Sequence, residues 1–309
     1  MNVTNIEWCT MTWNPVTGCL HGCPYCYAEK YAKRFGGRHV KGIEPIDSFG
    51  GHNVYDFRGI HDIKNRLRIK TKDNSSNNEK LITASFPFGF SPTFHRYRLN
   101  EPLYKKKPQN IFVGSMCDLF GDWVPDTWIQ LVLDACKAAP QHRYLFLTKN
   151  PKRYNYINCD GQTLEGCKKC KECDGEKHRI LTIYREDDEP FPELFLGTSV
   201  TNNESLFKAY DTSAEWLSIE PLLDDIGDGE TLWEDCQGRA RWSWVVIGAE
   251  SGNSKNKIIP KREWIGSIVE QCRYYETPVY MKDSLAPIWG EPLIREFPWE
   301  GGNLQYGNA

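Results

Sequence analysis

The chain has 309 residues, 40% hydrophobic and 26% charged, with a mean hydropathy of -0.58. It is long enough to bury a sizeable core and too apolar for disorder to dominate, and no run approaches the roughly 18 apolar residues that a membrane span needs. The net charge of -3 hides an asymmetry: residues 1 to 180 carry 27 Lys and Arg against 18 Asp and Glu, and residues 181 to 309 carry 11 against 23.

The first residues, Met1 to Trp8, have neither a basic stretch nor an apolar one, which points away from a secretory signal and towards the cytoplasm. Seven of the 12 cysteines fall in two tight clusters. In a reducing compartment such clusters read as metal or iron-sulfur ligands rather than disulfides. The strand-like Trp13 to Gly18 leads into the first of them, Cys19-Leu20-His21-Gly22-Cys23-Pro24-Tyr25-Cys26, a C-x3-C-x2-C triplet. Three thiolates on one short loop can hold three irons of a four-iron four-sulfur cluster, and the fourth iron then has no local cysteine. Such an open iron can bind S-adenosylmethionine, pass it an electron and release a 5'-deoxyadenosyl radical. A ferredoxin would need a fourth ligand, and a zinc site would more often show paired C-x2-C spacings.

A helix is predicted over Tyr27 to Phe35. Residues 36 to about 80 are rich in Gly, Asn and Lys and read as an insertion, with Asp73 to Asn78 as its loop tip. The next elements alternate. Strands are predicted at Ile111–Ser115, Tyr144–Lys149, Leu194–Val200, Trp216–Glu220 and Trp244–Glu250, with helices at Asp126–Ala139 and about Arg262–Tyr275 between them. Continuous apolar strands suggest burial on both faces of a parallel sheet. Strand and helix in alternation argue for an α/β barrel or an open doubly wound sheet, with function at the C-terminal strand ends. Those ends carry Ser115, Asp118, Lys149, Ser199, Glu220 and Glu250. Asp118, Ser199, Glu220, Glu250 and Ser115 are the candidates for binding the ribose and amino groups of S-adenosylmethionine, because these groups want polar acceptors. A carboxylate paired with a lysine such as Lys149 is the plainer alternative. Cys117, two residues beyond a predicted strand end, could donate a hydrogen atom to a substrate radical or could be a small buried hydrophobe.

A second insertion, about 155 to 190, holds Cys159, Cys167, Cys170 and Cys173 in a Lys- and Gly-rich stretch. So polar a loop has little apolar surface to fold around, and a metal would supply the missing stabilisation. The spacing suits zinc or an auxiliary iron-sulfur cluster equally. Its lysines, with Lys64/Arg66/Arg68/Lys70/Lys72, Lys105-Lys106-Lys107 and Lys149/Lys152/Arg153, could contact the phosphates of DNA or RNA; the alternative is a solvated surface. Phosphate-loop, dinucleotide-binding, zincin and α/β-hydrolase motifs are absent.

The triplet resembles the cysteine motif of the radical SAM superfamily, and Tyr25 fits the aromatic residue that commonly precedes its last cysteine. Ile6-Glu7-Trp8, Thr12 to Cys19 and Cys26-Tyr27-Ala28 are similar to the N-terminal signature of a phage-associated radical SAM family. Further matches are Ser115 to Phe120, Leu147 to Pro151, Gly197 to Val200, Ser218 to Leu223 and Gly248 to Gly252, so the resemblance runs from residue 6 to about 285. It implies a partial (β/α)6 barrel of the TIM type with the cluster at its mouth, and the two insertions are read as interruptions of a single domain over residues 1–309. It also implies S-adenosylmethionine as cofactor and an electron donor such as flavodoxin or ferredoxin. The phage setting and a distant similarity to spore photoproduct lyase suggest a nucleic acid as substrate. Cys9 and Cys117 stand where the family has other residues. Tyr280-Met281-Lys282-Asp283-Ser284 keeps only the lysine of a Lys-Gln-Trp-Gly pattern. Cys117, Lys149 and Lys282 are the candidate catalytic residues. Peptide or protein modification is the alternative among enzymes, and an iron-sulfur or zinc protein that binds nucleic acid without catalysis is the alternative outside them.

Overall fold

The computed structural model describes residues 1–36, 44–57, 68–72, 79–83, 85–156, 192–227, 232–251, 257–290 and 292–300. The chain forms two compact units, Met1–Leu145 with Cys159–Leu194, and Phe146–Asn158 with Phe195–Ala309.

The first unit opens with β1 (Asn2–Val3) and β2 (Met11–Trp13), paired antiparallel. All three residues of β2 are buried, which fits a strand covered on both faces. β3 (Val16–Thr17) precedes the cysteine loop and α1 (Tyr27–Phe35) follows it, with the bounds the sequence predicts. Only Ala28 and Ala32 of α1 are buried, so it lies on the unit by a narrow strip of small side chains. The segment read as a loop-rich insertion contains strands of its own: β4 (Asp47–Phe49), β5 (His52–Phe57), β6 (Arg68–Lys72) and β7 (Glu79–Thr83). With β8 (Thr93–His95), β4 and β5 join β3 in a four-stranded sheet of order β3-β8-β5-β4, while β6 and β7 pair with each other. Across this sheet Arg96 donates to the buried Asp56 from Nε, to Oδ1 at 2.8 Å and Oδ2 at 3.1 Å, and from Nη2 to Oδ2 at 2.7 Å, so its charge is compensated where water is scarce.

β9 (Asn110–Val113) runs parallel to β2 with Trp13 opposite Val113. α2 (Asp126–Lys137) buries Trp128, Ile129, Val132, Leu133 and Cys136, the three- and four-residue spacing of one helix face. Trp128 stacks on Phe94 at 5.1 Å. Burying aliphatic and aromatic side chains of this size contributes roughly 1.5–3 kcal/mol each.

β10 (Arg143–Thr148) begins in the first unit and ends in the second. In the second unit β11 (Glu193–Val200), β12 (Trp216–Ile219), β13 (Trp244–Ile247) and β14 (Val279–Met281) are parallel neighbours in that order. Their ends are aligned: Val200 faces Ile219, Ile219 faces Ile247 and Ile247 faces Met281. α3 (Asn203–Tyr210) starts at a reciprocal cap, Asn202 Oδ1 accepting from the Ser205 amide at 3.0 Å and Ser205 Oγ from the Asn202 amide at 3.1 Å. α4 (Arg262–Tyr274) packs through Ile265, Ile268 and Cys272, and the short α5 (Ala286–Trp289) ends at Gly290 in the left-handed region. At the N-terminal ends of the strands one face is filled by aromatics: Trp216 and Trp244 lie 5.1 Å apart, and Phe297 and Trp299 lie against Trp244. A Cβ on Gly197 would sit 2.1 Å from Trp216 Cε2, so glycine there makes room for the indole. No helix among the described residues is long and apolar enough to cross a membrane.

Candidate functional site

The cysteine loop is fixed at both ends by main chain. Gly18, at φ +88°, donates to Met116 O at 2.9 Å, and its residue forms a parallel bridge with Cys117. A Cβ on Gly18 would fall 2.3 Å from Ser91 O, so a side chain is excluded by space as well as by backbone angle. The Cys19 amide donates to Phe90 O at 3.2 Å and the Cys26 amide to Cys23 O at 3.0 Å. Cys26 is the N-cap of α1, its Sγ accepting the Glu29 N–H at 3.3 Å.

Side chains from the end of β9 wrap this loop. Asn14 Oδ1 accepts from the Met116 amide at 2.9 Å, Asn14 Nδ2 bonds Ser115 Oγ at 3.1 Å, and Tyr27 OH donates to Ser115 O at 2.6 Å. His21 Nε2 lies 2.7 Å from Asp118 Oδ2, while Asp118 Oδ1 accepts the Phe120 amide at 3.0 Å. The His21 ring also meets Trp123 edge-on at 4.8 Å. Asp118 is buried, and both its oxygens are engaged within the protein. The sequence singles out Asp118 for a small-molecule contact, and in the structure it also bonds His21 of the cysteine loop. Asn14, His21, Tyr27 and Trp123 were not singled out, and only the position of His21 between two of the cysteines could have drawn attention to it.

Cys19, Cys23, Cys26, Tyr25 and Cys117 are all half-buried. Burial pushes the Cys19 thiol up to about 12; the His21 amide pulls the other way, and Asp118, Cys23 and Cys26 add to the rise. Desolvation, with Asp118 and Cys19 beside it, also holds Cys117 well above the ordinary thiol value. Cys19, Cys23 and Cys26 are a soft, sulfur-only set of side chains. Among the described residues no three His, Cys, Asp or Glu side chains gather as a cage for one ion.

The second unit holds the remaining candidates. Side chains alternate along a strand, so Ser199, Ser218, Val246 and Tyr280, which are register partners, share a face, to which Glu220, Gly248 and Lys282 return two residues later. There Lys282 Nζ forms an ion pair with Glu220 Oε1. Lys282 is thus a lysine that pairs with this strand-end carboxylate. Ala249 N donates to Ser284 Oγ at 3.0 Å, Gly248 N to Ile219 O and Lys282 N to Ile247 O, which ties the loops carrying Glu220, Glu250 and Lys282 into one rim. Lys149, Ser199 and Glu250 are half-buried at their strand ends. Cys159, Cys167, Cys170 and Cys173 lie outside the described residues.

A family model described as "Protein of unknown function (DUF5131)" matches residues 3–293. No curated protein and no solved structure matches the chain. Since the match spans nearly the whole sequence, the chain belongs to the DUF5131 family.

Proposed function

We propose that the protein is a cytoplasmic radical S-adenosylmethionine enzyme, a partial (β/α)6 barrel acting on a nucleic acid or nucleotide. One observation carries the reading: three cysteines on a single loop, Cys19, Cys23 and Cys26, held by a glycine bridge, a helix cap and a shell of hydrogen bonds from the end of β9. These three residues would hold a four-iron four-sulfur cluster. When bound, the cluster supplies the electron that cleaves S-adenosylmethionine to methionine and a 5'-deoxyadenosyl radical.

The other residues bind, orient and return hydrogen. Tyr25 lies on the loop itself. Ser199, Glu220 and Glu250 offer acceptors for the ribose hydroxyls and amino group of the cofactor, and Lys282 orients Glu220 through their ion pair. Lys149 stands at the end of β10 as a candidate for substrate contact. Cys117 is the candidate hydrogen-atom donor. Its S–H bond breaks homolytically, a C–H bond forms on the substrate radical, and the thiyl left behind takes one electron and one proton to become a thiol again. That electron, like the first, comes from a flavodoxin- or ferredoxin-type donor. The basic excess of residues 1–180 supports a polyanionic substrate.

The test is anaerobic reconstitution with iron and sulfide, addition of dithionite and S-adenosylmethionine, and quantification of 5'-deoxyadenosine beside Cys23→Ala. Product that vanishes in the variant is expected. A fully loaded protein that makes none would overturn the reading in favour of a nucleic-acid-binding iron-sulfur protein.

A further inference from the structure

We infer that Asp118 and His21 are positioning residues that set the reduction potential of the group held by the cysteine loop. The inference rests on the function proposed above and adds to it a role for two residues that hold no iron.

His21 sits between Cys19 and Cys23, in the three-residue gap of the triplet. Its ring is fixed from two directions, by the 2.7 Å hydrogen bond from Nε2 to Asp118 and by the edge of Trp123. Asp118 is fixed in turn by the Phe120 amide and has a side chain only 7% exposed. A carboxyl group that served the loop as a strut alone could be a neutral amide. The structure instead buries an ionisable group next in sequence to Cys117 and bonds it to His21, which lies two residues from both Cys19 and Cys23. With Nε2 committed to Asp118, Nδ1 is the ring nitrogen that remains for the occupant of the loop. Charge and hydrogen bonds near the sulfurs are what tune an iron-sulfur potential. A negative charge close by favours the oxidised cluster, so Asp118 holds the potential low.

The experiment compares wild type, Asp118→Asn, His21→Gln and, as a remote control, Glu204→Gln, after reconstitution. Iron and sulfide per chain, the electron paramagnetic resonance spectrum of the reduced state and the midpoint potential from a redox titration are measured on each. The expected result is wild-type loading in all four, a more positive midpoint with an altered spectrum in Asp118→Asn, a shifted midpoint in His21→Gln, and no change in the control. Loaded variants with the wild-type midpoint would overturn the inference and leave the proposed function standing. Folded variants that fail to load, by unchanged thermal unfolding, would also overturn it, reducing the pair to a strut. A wild-type protein that takes up no cluster would instead refute the function on which the inference rests.

Discussion

Glu220 and Lys282 form an ion pair that passes over Gly248, the position between them in the register of β12, β13 and β14. A Cβ on Gly248 would lie 3.1 Å from Lys282 Cδ and 3.2 Å from Glu220 Cγ. The absent side chain therefore makes the channel in which two long side chains meet. Packing and electrostatics are coupled at this point of the second unit.

Gly248→Ala is expected to cost about 1 kcal/mol by crowding and to uncouple the pair. A double-mutant cycle of Glu220→Gln and Lys282→Met, read by thermal unfolding, should give a coupling of about 1 kcal/mol in the native background, since both side chains are largely buried. In the Gly248→Ala background the coupling should fall towards zero. Equal coupling in both backgrounds would show that the glycine plays no part.

Cys26 is both cap and candidate ligand, and the two roles separate by substitution. Without metal, Cys26→Ser keeps an acceptor for the Glu29 amide and should unfold in urea close to wild type. Cys26→Ala loses it and should be weaker by about 1 kcal/mol. Both should fail to hold a complete cluster. Equal stability of the two variants would remove the cap from the account.

Asp235 predicts a pH effect. The Arg239 amide and guanidinium, with the Gln237 amide, hold its carboxyl at about 2, below its ordinary value of 3.8. A depressed folded pKa gives stability that is present above the unfolded value and lost as pH falls through the folded one. Asp235→Asn should therefore differ from wild type at pH 5 and converge with it as pH falls from about 4 to 2. A difference in melting temperature that stays constant across that window would refute the assignment.

Replacing Cys159, Cys167, Cys170 and Cys173 together by serine is expected to remove one zinc ion or one auxiliary iron-sulfur cluster per chain, measured by elemental analysis. Unchanged metal content would leave those cysteines without a ligand role. Deleting residues 159 to 178 should also weaken nucleic-acid binding and flatten its salt dependence, because four lysines are lost. Unchanged affinity would remove the phosphate contact.

Much of the alternating pattern was legible because its signal is local. Tyr27–Phe35 is helical with the bounds expected, and the Trp216 and Trp244 strands begin where apolar runs begin. β14 escaped notice because only three residues lie between Pro278 and Lys282, too few for a periodicity. β4 and β5 escaped because Gly50-Gly51 and the polar His52-Asn53 look like loop composition, whereas their pairing with each other and that of β5 with β8 decide their conformation. At the site, the three cysteines announced themselves by spacing alone. The partner of His21 did not, since 97 residues separate it from Asp118 and only the fold brings the two together. Strand ends drew attention to Glu220, but nothing in the chain marked Lys282, one residue past β14, as its counter-charge.

The bond from the Glu29 amide to Cys26 makes one sulfur serve two structures, the last position of the cysteine triplet and the first turn of α1. Whatever engages the lone pairs of that sulfur competes with main chain for them, so chemistry at the loop is felt first where the helix begins.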